Sequence, residues 1–226
     1  MNVLDEARRF FAFLQSPSAT RRLEALDTRQ SARLLVLAAL VLAAVYAVAV
    51  PFQQRVAIAH GATNLFDDGS IPQGVIITLA LVMVPIEELI FRLWMRRPRA
   101  LPLCAGGAAL LMTLSFGPAG QMTNWLAFGA FGMGCVIWAR VRKLPPDGPY
   151  EAWLSRHFGL WVWGSILLFA GLHLSNWTVD TLSPAVLALV LPQLALGLMA
   201  SFVCLRAGFR WAVALHFANN LFALTL

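Results

Sequence analysis

The chain has 226 residues, 59% hydrophobic and 12% charged, with a net charge of +6 and a mean hydropathy of +0.71. Soluble domains average roughly 45–50% apolar and about 25% charged residues, so an ordinary water-soluble globule is excluded. Disorder is excluded as well, because it needs low hydrophobicity and high charge.

What remains is an all-α, polytopic membrane helical bundle with room for one membrane domain. The positive charges fall in short clusters between apolar runs and form no basic face, so nucleic-acid binding is not expected. Sixteen of the seventeen basic residues are Arg, and Ala is abundant. That usage fits a GC-rich bacterial genome, and with it a multi-pass protein of a bacterial plasma (inner) membrane.

Residues 1–33 read as a cytoplasmic basic and amphipathic segment. Asp5, Glu6, Arg8 and Arg9 come too early for a secretory signal. Residues 3–15 fit a surface helix with a Phe-rich face. Residues 16–33 set Arg21, Arg22, Arg29 and Arg33 against Glu24 and Asp27, a solvated lead-in to the first span.

Residues 34–226 read as the membrane domain. A spanning helix needs about 20 mostly apolar residues, and helices are required because backbone polar groups in lipid must be satisfied within the segment. Seven spans are predicted, near 34–52, 71–95, 101–117, 122–139, 158–177, 185–205 and 209–226. Gly117, Pro118, Ala119 and Gly120 predict a tight turn, making 101–139 a helical hairpin. Gly129, Gly132 and Gly134 are expected to permit close packing there. With seven alternating spans, sixteen of the Lys and Arg residues fall on one side and only Arg55 on the other. The positive-inside rule then puts the N-terminus in the cytoplasm and the C-terminus on the far side. Cys104, Cys135 and Cys204 each lie in an apolar run and read as small buried hydrophobes.

The few ionisable groups inside these spans recur at helical spacing. Glu87, Glu88 and Arg92 lie near the cytoplasmic end of the second span, Phe169 precedes His173 in the fifth, and His216 precedes Asn220 in the seventh. Intramembrane charges are costly, so these groups should face a protein interior or a wet cavity. Glu88 and Arg92 are four apart and pair along one helix face, while Glu87 lies about 100° round the helix. Phe169 and His173 share a face, as do His216 and Asn220. A buried Glu that keeps its charge can take a proton from water. A neighbouring His and Asn can stabilise an oxyanion. Together these groups outline water-activating amide hydrolysis. On the predicted boundaries, however, Glu87 and His173 lie roughly 12 Å apart in depth at about 1.5 Å per residue. The position of Glu87 also predicts substrate access from the cytoplasmic side or laterally from the bilayer.

Glu87-Glu88-Leu-Ile-Phe-Arg92, then Phe169-Ala-Gly-Leu-His173, then His216-Phe-Ala-Asn-Asn220, in that order and each in an apolar run, resembles the CPBP family of intramembrane proteases, the CAAX-prenyl-protease and bacteriocin-processing group. The resemblance covers about residues 71–226. It implies a glutamic endopeptidase in which Glu87 activates the water with help from His173. His216 and Asn220 would form the oxyanion site, and Glu88 and Arg92 would organise the helix. The gap from Arg92 to Phe169 is longer than is usual in the family, so the 101–139 hairpin reads as an insertion. Leu93 stands where many members have Gly.

Three other functions use the same residues differently. Glu87 or Glu88 with His173 and His216 offers zinc an O/N ligand set, although no His-Glu-x-x-His helix is present. A non-catalytic scaffold or immunity protein would keep the fold without cleavage. A small transporter would use the same groups as a relay, but neither inverted repeats nor paired broken helices stand out. The partners expected are a membrane protein or peptide substrate and the lipid bilayer. The sequence does not specify the oligomeric state.

Overall fold

A computed structural model describes residues 2–18, 26–66, 71–116, 121–180 and 183–223. Eight α-helices occupy these residues: α1 (Val3–Gln15), α2 (Thr28–Ala59), α3 (Gln73–Arg96), α4 (Leu101–Phe116), α5 (Gln121–Val141), α6 (Pro149–Leu172), α7 (Leu191–Ala207) and α8 (Phe209–Ala223). Five helical segments are long and apolar enough to cross a membrane: Thr28–Ala59, Gln73–Arg96, Pro98–Phe116, Pro149–Asn176 and Pro184–Ala207. Each of the seven apolar runs is helical over most of its described residues, the fourth as α5 and the last as the 15 described residues of α8.

Local chemistry explains the helix ends. The expected boundary at residue 33 falls inside α2, because Asp27 and Gln30 form a reciprocal capping box that starts the helix at Thr28. Helix α6 starts at Pro149, nine residues ahead of the predicted 158, where proline's missing N–H is no loss. Helix α7 stops at Gly208, whose φ of 107° favours glycine.

The bundle has two distinct ends. At one, α3 finishes, α4 and α6 begin, and α7 hands over to α8. Here Tyr150 donates to the Pro98 carbonyl (3.0 Å), Arg99 pairs with Glu151 (2.7 Å) and Arg96 donates to the Leu205 carbonyl (3.3 Å). At the other, α2 and α6 finish and α3 begins. There β1 (Thr63–Asn64) pairs antiparallel with β2 (Trp177–Thr178), and the hydroxyls of Thr63 and Thr178 hydrogen-bond.

Helix α1 spans residues 3–15 as expected and lies on the surface of the bundle, with only Glu6 and Phe13 buried. It docks on the end of α7: Phe10 and Phe13 pack on Phe202 with ring centroids 5.3 and 5.7 Å away. Glu6, 1% exposed, receives the Arg206 guanidinium through two bonds of 2.8 and 3.1 Å and also takes Arg9. Burial alone would raise the Glu6 pKa, but the bonds and charges of Arg206 and Arg9 outweigh it and hold the carboxyl below its ordinary value.

Helices α4 and α5 pack closely against each other. The residues that allow the approach are Gly106 and Gly134. A Cβ on Gly134 would lie 2.6 Å from the Pro102 carbonyl oxygen and 3.2 Å from the Gly106 Cα. Gly129 and Gly132, grouped with Gly134 in the sequence reading, meet nothing within 4 Å. They lie on faces of α5 that the hairpin does not use. The predicted turn at 117–120 lies outside the described residues.

Candidate functional site

Helix α3 carries the acidic pair, and its register against α6 determines what the pair meets. The Phe91 and Phe169 rings make an edge contact at 5.6 Å, and Ser165 donates to the Phe91 carbonyl at 2.5 Å. The two helices run in opposite directions. Four residues back along α3 from Phe91 stands Glu87, and four residues on from Phe169 stands His173. Both steps lead the same way along the bundle, so the two side chains arrive at one level. The 12 Å depth offset expected from the sequence is therefore removed by the register that the Phe91–Phe169 contact imposes, and both side chains line one cavity.

Beneath that level the polar groups are buried in a tight cluster. Glu88 and Arg92 are each 0% exposed and form an ion pair along α3, as their spacing predicts. The same Glu88 oxygen lies 2.9 Å from His216 Nδ1. The Arg92 guanidinium sits over the Phe169 ring, 4.3 Å from its centroid, a cation–π contact. Phe169, fully buried, also touches both imidazoles, His173 at 4.9 Å and His216 at 5.5 Å between ring centroids. One aromatic ring thus spaces three of the six candidate residues.

Above the cluster lies a cavity of about 520 Å³. Glu87, His173, His216 and Asn220 all line it, whereas Glu88 and Arg92 form the layer below. Glu87 keeps 12% of its side chain exposed, and its Oε2 is 3.7 Å from His216 Nε2. His173 Nδ1 is 2.8 Å from the Phe169 carbonyl. A carbonyl only accepts, so this nitrogen carries the proton and Nε2 is left as an acceptor. In the same way His216 donates Nδ1–H to Glu88 and turns Nε2 toward Glu87. His216 can then donate to an oxyanion only when doubly protonated, whereas the Asn220 amide is a donor in any state.

Several lining residues went unremarked in the sequence. Tyr46, Val50 and Gln53 of α2 line the wall at spacings of four and three, one helical face. Tyr46 donates to the Pro192 carbonyl at 3.2 Å, and Gln53 donates to the Leu189 carbonyl. Gln193 and Asn219 also line the cavity. The signal was present: two polar side chains seven residues apart in an otherwise apolar span. His60 and His157 lie elsewhere. His60 is 3.4 Å from the Ser183 hydroxyl, and His157 bonds the Trp153 carbonyl.

The arrangement argues against the zinc set. Among the described residues no group of three or more His, Cys, Asp or Glu side chains is placed to hold a metal ion. Glu88 is committed to Arg92 and His216, and His173 and His216 each pack against the Phe169 ring. Comparison of the chain with protein-family models, with curated proteins and with solved structures returned no match.

Proposed function

We propose that this chain is a seven-span intramembrane endopeptidase of the CPBP kind, with its N-terminus in the cytoplasm of a bacterium. It hydrolyses a peptide bond of a membrane-associated protein or peptide. The observation that carries the reading is the placement of Glu87: partly exposed at the wall of a cavity, beside His216, with His173 and Asn220 on the same cavity. The lopsided Lys and Arg distribution supports the orientation.

In this reaction Glu87 takes a proton from a water molecule held between it and the acceptor Nε2 of His173. The oxygen attacks the scissile carbonyl, and the Asn220 amide donates to the oxyanion that forms. Collapse breaks the C–N bond, and Glu87 returns its proton to the departing amine. Glu88 and Arg92 do not touch substrate. They hold His216 and the α3 backbone in place.

The test is reconstitution of the purified protein in lipid with quenched fluorescent membrane peptides, comparing wild type with Glu87→Gln and His173→Ala. Cleavage by the wild type and its loss in both variants is expected. Equal cleavage by all three removes the mechanism. A cellular phenotype preserved in Glu87→Gln favours the non-catalytic scaffold instead.

A further inference from the structure

The cavity has a floor and a mouth, and they face opposite ends of the bundle. Its deepest α3 residue is Glu87. Below it Glu88, Phe91, Arg92, Trp94 and Met95 are all buried, at 0–2% exposure, toward the end where Arg96, Arg97 and Arg99 stand. Above it the wall climbs through Met83 and Leu79 to Ile76, near the start of α3. The remaining rim residues, Asn64, Phe66, Ser115 and Asn176, come from the β1 and β2 end and from the last turn of α4. The cavity therefore opens away from the arginines, and the cytoplasmic access expected from the sequence is not what the geometry offers.

The lining is also chemically selective. No Lys or Arg is among the residues that line the cavity, and Glu87 is its one carboxylate, among the described residues. One wall is apolar, formed by Ile76, Leu79 and Met83. Amides come from the other helices: Gln53 of α2, Gln193 of α7 and Asn219 of α8. The Gln193 Oε1 is buried without a hydrogen-bond partner among the described residues. Buried amide groups are ordinarily paired, and a peptide N–H is the donor such an oxygen fits. From Ile76 to Glu87 the helix rises roughly 16 Å at about 1.5 Å per residue. An extended chain covers that distance in about five residues at roughly 3.3 Å each.

We infer that the cavity admits an uncharged, extended peptide segment presented on the non-cytoplasmic face, with the bond to be cut about five residues below the rim. The inference rests on the proteolytic reading for the cut and on the positive-inside orientation for the face. The absence of cationic lining residues disfavours a substrate held by a free carboxylate or a phosphate.

The test does not depend on cleavage. Cys135 and the two buried cysteines are replaced by Ala, and Glu87→Gln serves as background. Ser175→Cys, beside the rim, and Arg210→Cys, at the opposite end, are treated with a membrane-impermeant maleimide in intact cells and in inverted vesicles. Ser175→Cys should label in intact cells and Arg210→Cys only in inverted vesicles. A blocked, neutral peptide of about ten residues, long enough to span the cavity at roughly 3.3 Å per residue, should then slow labelling of Ser175→Cys at least threefold. The same peptide with two Asp residues should not. Labelling of Ser175→Cys only from the cytoplasmic side, or equal protection by both peptides, overturns the inference. Protection without any cleavage by the wild-type protein would sink the protease reading and the placing of the cut, and leave standing the cavity's face and its uncharged, extended guest.

Discussion

His216 Nδ1 lies 2.9 Å from the Glu88 carboxylate oxygen that also receives Arg92. This one atom joins α3 to α8 and fixes which nitrogen of His216 faces Glu87. The two adjacent glutamates thus have different work. Glu88 is buried and bonded to Arg92 and His216, and Glu87 is exposed to the cavity.

Removing Glu88 should therefore destabilise the fold. In Glu88→Ala the buried Arg92 loses its charge partner, a loss of about 3–5 kcal/mol for buried pairs. A fall in the thermal unfolding midpoint in detergent should be plain. Glu87→Gln should leave that midpoint nearly unchanged while lowering cleavage by about 10²–10⁴-fold, the range for a lost general base. A larger loss of stability in Glu87→Gln than in Glu88→Ala would reverse the assignment.

Much of this division was legible in the sequence, for a physical reason. Helical spacing is local, so Glu88 with Arg92, Phe169 with His173 and His216 with Asn220 could be placed on shared faces before any fold was known. What the spacing could not supply was the register between helices. The level of His173 against Glu87 depends on Phe169 meeting Phe91, a contact between two helices that neither one encodes alone. The Glu6–Arg206 pair joins residues 200 apart, where no periodicity reaches.

That pair gives a pH dependence. The Glu6 carboxyl is held below its ordinary 4.5 in the folded protein. A depressed carboxylate contributes its full stabilisation above the unfolded value and loses it as pH falls through the folded one. Docking of α1 should thus be firm at neutral pH and weaken below about pH 4, near the ordinary Glu range. Hydrogen exchange of residues 3–15 at pH 7 and pH 3 measures this. Glu6→Gln should exchange fast at pH 7 and show little further change in acid.

The glycines of the hairpin should behave unequally. Gly134→Leu places side-chain atoms where the Pro102 carbonyl already stands, so α4 and α5 must separate. Overpacking of this kind costs about 1–3 kcal/mol. Gly129→Ala and Gly132→Ala face open space and should be tolerated. Thermal unfolding of the three variants side by side decides it. Equal losses would mean that the Gly106 and Gly134 approach is not what joins the hairpin.

Chelators should have no effect on cleavage, since among the described residues no group of three ligands is placed to hold a metal. Incubation with a strong zinc chelator, followed by assay with and without added zinc, is the measurement. Inactivation reversed by zinc would restore the metal-dependent reading.

The lower half of α3 has a further property. Its carbonyls at Leu89, Phe91 and Arg92 receive side-chain donors from three different helices: Cys104 of α4, Ser165 of α6 and Cys204 of α7. The upper half, from Gln73 to Met83, has no such fastening among the described residues. The helix is thus riveted to its neighbours along its lower half and left without such rivets along its upper half, among the described residues, so the acidic pair stands where the fastened part begins.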